Sequence, residues 1–155
     1  INLDKENDRI EKEILLRAPR ARVWKALTDS AEFGQWFGCA LHGAFVAGET
    51  TKGKITDPPG YDHLVMELAV EQMEAERLFS FRWRPYAIEK GVDYSHEPAT
   101  LVEFVLEEAP EGTLLRISES GFAAVPEARR AEAADEVLRC EECRRILVRT
   151  PESGL

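Results

Sequence analysis

The sequence predicts an α+β fold, and three observations lead there. Apolar residues alternate at the two-residue period of strands through the middle of the chain. Helical spacing is confined to two short segments after the first strand and one long segment at the end. Strands grouped together, with helices at the ends, belong to α+β folds, whereas regular alternation would mean a parallel sheet.

The first strand, turn and helices lie between Ile10 and Gly38. Ile10, Ile14 and Leu16 recur as on a half-buried strand, with Glu11, Lys12, Glu13 and Arg17 expected to face water. Pro19 ends the strand because it has no N–H for the ladder, and its fixed φ suits a first helical turn. Val23, Trp24 and Leu27 fall three to four apart, as one helix face does. Asp29 or Ser30 can cap a second short helix carrying Phe33, Trp36 and Phe37, which Gly38 ends.

Strands follow. Leu41, Gly43 and Phe45, then Thr50 to Thr56, predict a hairpin turning at Ala47, Gly48 and Glu49. Asp57-Pro58-Pro59-Gly60 breaks the pattern. From His63 to Met73, Leu64, Met66, Leu68 and Val70 share one face, and His63, Glu67 and Glu71 the other. After a turn at Glu74 to Glu76, Arg77 to Arg84 returns with Phe79, Phe81 and Trp83 on one side, giving an antiparallel pair. Tyr86 to Pro98 has no period and reads as a surface loop. Thr100, Val102, Phe104 and Leu106 alternate in the next strand, Pro110-Glu111-Gly112 turns, and Thr113, Leu115 and Ile117 alternate in its partner. Pro126 can open a helix running to about Arg149, closed by Pro151 and Gly154.

The run APRARVWKALTD…FGQWFG resembles the opening of the activator-of-heat-shock-protein-90-ATPase homologue family, a branch of the START-like, or SRPBCC, superfamily. RLFSFRW and TLLRISESGF are similar to its later strands. The resemblance implies a helix-grip fold: an antiparallel sheet curled around a long C-terminal helix, with an apolar cavity between them. It implies one START-like domain over 1–155, with a core of about 9–150. In the last helix, members usually carry a Gly-Trp pair where this chain reads LRCEECRRILV.

Bulk properties exclude several classes. The chain has 155 residues, 44% hydrophobic and 32% charged, which suits one globular domain. Its net charge of −9 argues against a nucleic-acid binder and against docking on anionic lipid. No apolar run is long enough for a membrane span and no leader pattern is visible, so the expected location is cytoplasmic. The chain opens on Ile1, as a trimmed chain would. Cys39, Cys140 and Cys143 form a sparse, odd set that fits a reducing compartment.

Seven large rings stand out: Trp36, Phe37, Phe79, Phe81, Trp83, Phe104 and Phe122. They can be plain core, or some can line an apolar pocket. Trp36, Phe37 and Trp83 are the candidates for its wall or mouth. Alternation from Leu115 and Ile117 puts Glu119 on their inward face, where a carboxylate needs a partner. Turned outward, it is an ordinary strand-end residue; turned inward, it is the best candidate for ligand contact or proton transfer. On the last helix, Ala131, Ala134, Val137, Leu138 and Val148 cluster, with Glu141 and Arg145 four apart on the same face. That pair is either solvated or a polar cavity floor in which Arg145 meets a ligand's carboxylate or hydroxyl.

Metal and nucleophile chemistry find little support. Cys140-Glu-Glu-Cys143 lacks the second ligand pair that zinc needs, and it sits mid-helix, away from the dipole that activates redox thiols. His42, His63 and His96 follow no ligand spacing, and no serine has a nucleophile elbow.

The favoured function is binding of a small hydrophobic or amphipathic ligand between sheet and C-terminal helix, with no cofactor and no covalent catalysis. Its expected contacts are Trp36, Phe37, Met66, Phe81, Trp83, Phe104, Glu119, Phe122, Leu138, Glu141 and Arg145. The alternatives are a cyclase/aromatase- or hydratase-like enzyme in which Glu119 or the Glu141–Arg145 pair moves protons, and a chaperone-interaction module. The last is ranked lowest, because the eukaryotic co-chaperone relatives carry a further domain. A homodimer is left open.

Overall fold

The structure is a computed structural model that describes residues 9–56, 59–60, 64–84, 93, 96 and 98–124. Among the described residues there are seven strands, two helices and a short 3-10 turn. In chain order they are β1 (Arg9–Leu16), α1 (Arg20–Thr28), α2 (Ser30–Phe37), β2 (Cys39–His42), β3 (Thr50–Ile55), β4 (Val65–Glu74), β5 (Leu78–Trp83), β6 (Thr100–Ala109), β7 (Gly112–Ser120) and the turn Phe122–Ala124. All seven strands form one antiparallel sheet in the order β1-β7-β6-β5-β4-β3-β2. The α+β expectation is met in this part. The expected C-terminal helix, with Leu138, Cys140, Glu141, Cys143 and Arg145, lies outside the described residues. So does His63.

One face of the sheet carries the core, as the alternation requires. Phe79 faces Phe104 across β5–β6, and Phe104 faces Ile117 across β6–β7. Leu68, Val70, Phe79, Phe81, Phe104, Leu106, Leu115 and Ile117 are all buried there. Both helices pack onto this layer, α1 through Val23, Ala26 and Leu27 and α2 through Phe33 and Trp36. The outer face carries ion pairs. Arg116 on β7 bridges Glu13 of β1 and Glu107 of β6, and Arg82 meets Glu71.

Lys12 corrects the sequence expectation. Its even parity with Ile10, Ile14 and Leu16 puts it on the core side, opposite Ile117, and it is half-buried rather than facing water. A long methylene stem allows this at an edge strand, where the ammonium can reach past the sheet. Pro19 also differs from expectation. It is the N-cap of α1 with extended ψ, one residue ahead of the first helical turn. The predicted hairpin is real, but Phe45 belongs to its loop. Residues 43–49 fold back so that Gly48 N–H donates to Val70 O, and Phe45 enters the core against Phe33 and Phe79.

Candidate functional site

Three neighbouring strands bring Trp83, Thr100 and Glu119 together. Trp83 ends β5 and pairs with Thr100 at the start of β6, while Glu119 lies near the end of β7 opposite Val102. Because all three share the parity of Phe81, Phe104 and Ile117, they share the core face. Glu119 is only 2% exposed, and Thr100 is wholly buried. The inward alternative for Glu119 is therefore the one the fold adopts.

A buried carboxylate is costly unless hydrogen-bond donors meet it. Here Trp83 Nε1 donates to Glu119 Oε2 at 3.2 Å, and Thr100 Oγ1 donates to the same oxygen. Both bonds join different strands, so the carboxylate ties β5, β6 and β7 together at one end of the sheet. Ile10 of β1 stands opposite Glu119 on the remaining side.

Rings surround this cluster. Phe37 meets Trp83 edge-on with centroids 5.4 Å apart, and Phe81 lies 6.1 Å from Trp83. Phe33 stacks on Phe37 at 4.8 Å. Phe104 links Phe79 and Phe81 to Trp36. Met66 is buried on β4, and Phe122 is buried just beyond β7. Phe37 is half-buried.

Trp36 differs from Trp83 in how its indole is satisfied. Its Nε1 donates to Ala26 O at 2.9 Å, and its ring is 2% exposed. Trp36 therefore ties α2 to α1, and its polar atom is spent on that helix contact.

Other chemistry-bearing groups lie apart from this cluster. Cys39 is buried, and desolvation pushes its thiol up to about 12, which keeps it protonated and unreactive. His42 and His96 are exposed. No group of three metal-ligating side chains occurs among the described residues. No described helix is long and apolar enough to cross a membrane.

Sequence reasoning missed two features. The alternation groups Thr100 with Val102, Phe104 and Leu106; that it meets Glu119 depends on the β6–β7 register, which the alternation does not encode. Arg22 and Glu32 form a buried ion pair between α1 and α2, with Arg22 Nη2 2.9 Å from Glu32 Oε1. The available signal was position: Arg22 adjoins Val23 and Glu32 adjoins Phe33, both on buried helix faces.

These features define an α+β protein with a helix pair inserted after the first strand and a buried carboxylate among aromatic rings. The profile of the activator of Hsp90 ATPase homolog 1-like protein family matches residues 17–141, and the chain belongs to that family. Several solved structures share the fold. A protein from Arthrobacter aurescens superimposes with a TM-score of 0.76 at 19% identity, over 97% of this chain and 91% of the other. A Mesorhizobium loti protein gives 0.67 at 24% identity, over 92% and 98%. The Aha1 dimer from Colwellia psychrerythraea gives 0.62 at 18% identity, over 87% and 90%. No curated protein matches the chain.

Proposed function

We propose that the chain is a single START-like domain of the helix-grip kind that binds a small hydrophobic or amphipathic molecule without covalent catalysis. The ligand lies between the core face of the sheet and the C-terminal helix. Its apolar body rests on Phe37, Met66, Phe81, Phe104 and Phe122, and its polar end lies near Glu119 and Trp83. Leu138, Glu141 and Arg145 supply the opposite wall.

The observation that carries this reading is a carboxylate 2% exposed in an aromatic layer, with Trp83 and Thr100 converging on one of its oxygens. Few polar groups placed in an apolar surface are the usual composition of a small-molecule site. Family membership supports the same architecture.

Native mass spectrometry of the purified protein, followed by denaturing extraction, tests it. A stoichiometric small molecule released on denaturation is the expected result. Protein that stays empty, and that takes up no hydrophobic probe on titration, would overturn the reading.

The burial of Glu119 also favours a second reading, in which it transfers a proton in a cyclase- or hydratase-like reaction. Under that reading Glu119→Gln abolishes turnover of the extracted molecule while the fold is kept. Since the Colwellia relative is described as a dimer, a homodimer is the first assembly to look for. A chaperone contact ranks last and is tested by pull-down.

A further inference from the structure

We infer that the buried Arg22–Glu32 pair is a positioning device for the candidate site, holding α2 at the angle that sets Phe37 against Trp83. This rests on the binding reading above and assigns that site a control point away from the ligand.

The pair is an unusual thing to bury. Arg22 and Glu32 are 9% and 8% exposed. Their atoms approach to 2.9 Å, with Lys25 Nζ 3.6 Å from the other Glu32 oxygen. The contacts are ionic and lack directed hydrogen-bond geometry. Arg22 Nε and Nη1, and both Glu32 oxygens, have no hydrogen-bond partner among the described residues. A half-satisfied buried ion pair contributes less to stability than apolar side chains of the same volume, and in several systems such a pair serves instead to select one packing arrangement.

Its position shows which arrangement it selects. Only Asp29 separates α1 from α2, so a short link leaves the angle between them to side-chain contacts. Those contacts include two polar ties: Arg22 to Glu32 at the start of α2, and Ala26 O to Trp36 Nε1 near its end. Glu32 immediately precedes Phe33, whose ring touches Trp36, Phe37, Phe45 and Phe81. One turn after Phe33, Phe37 meets Trp83, the donor to Glu119. A rotation of α2 about its axis would therefore move Phe37 off Trp83 and reshape the wall beside the carboxylate, while Leu68, Phe79 and Leu115 stayed packed.

The test is the double variant R22M/E32L, with N-phenyl-1-naphthylamine as a neutral aromatic probe. The expected result is a urea midpoint equal to or above that of the wild type, with probe affinity about tenfold weaker because preorganisation is lost. The near-ultraviolet circular dichroism of the tryptophans should change with it. A double variant that binds the probe as the wild type does would overturn the proposal. So would a midpoint well below the wild type, since the pair would then be a stability element. Wild-type protein that binds no probe would count against the binding reading instead. In that case the dichroism decides: an unchanged tryptophan signal in R22M/E32L overturns the positioning role, and a collapsed one supports it.

Discussion

Gly34 of α2 lies so close to the backbone of Cys39 that a Cβ built on it would stand 2.3 Å from the Cys39 carbonyl oxygen. The helix that carries Phe33, Trp36 and Phe37 thus reaches β2 by backbone approach, with no side chain between. Gly34→Ala would gain about 1 kcal/mol of helix propensity on an unhindered helix. Here the steric cost wins, and the variant loses about 1–3 kcal/mol, as overpacked cores do. Urea unfolding checks the sign. An unchanged or raised midpoint would mean that α2 can move away from β2 at no cost.

Removing the acceptor at Glu119 should be far worse than changing its charge. Glu119→Leu strands the Trp83 N–H and the Thr100 hydroxyl, at about 1–3 kcal/mol for each buried donor left unpaired. Glu119→Gln keeps one carbonyl oxygen for them and should lose less than half as much. Parallel denaturation curves for the two variants test this. Equal losses would show that the negative charge, more than the two bonds, matters to the fold.

Asp29 caps α2 by accepting from Ala31 N–H at 3.0 Å and Glu32 N–H at 3.1 Å. Asp29→Ala should lower stability by about 1 kcal/mol, while Asp29→Asn should be nearly neutral. Since the cap opens the helix bearing Glu32 and Phe37, the alanine variant should also weaken probe binding. A calorimetric melt and a probe titration on the same samples separate the two effects.

The thiol of Cys39 gives a pH prediction with a definite sign. Its pKa in the fold is about 12 against an ordinary value of 9.0, so the native state holds the proton more tightly than the unfolded chain. Its contribution is complete below pH 9, and stability falls as pH rises from 9 towards 12. At pH 8, in a background with Cys140→Ser and Cys143→Ser, its reaction with a disulfide reagent should be much slower than in urea-unfolded protein, because burial disfavours the thiolate. Comparable rates would place the thiol at the surface.

Much of this was legible because alternation maps directly onto faces. Phe79, Phe81 and Trp83 point inward as their spacing requires, and the same parity carried Glu119 to the buried side despite its charge. Lys12 shows parity overriding chemistry: an even-numbered residue between Ile10 and Ile14 belongs to the inner face, whatever its charge. The meeting of Thr100 with Glu119 was out of reach because register comes from pairing, and pairing from the whole sheet. Arg22 and Glu32 were out of reach for another reason. Each looks like a solvated helix charge until the α1–α2 packing encloses both.

The pairing of β1 with β7 has a consequence for how the chain is made. β1 is synthesised well before its partner β7, with Leu16 opposite Thr113 and Arg9 opposite Ser120. At about 5–20 residues per second, the intervening segment takes roughly 5–20 s to synthesise. Through that interval β1 has no neighbour, and its alternating Arg9, Glu11, Lys12 and Glu13 keep it hydrated and poorly suited to pairing with other nascent chains. The charges of this strand thus protect the newborn chain as well as decorating the finished sheet, and the sheet reaches its final width only after translation has passed Ser120.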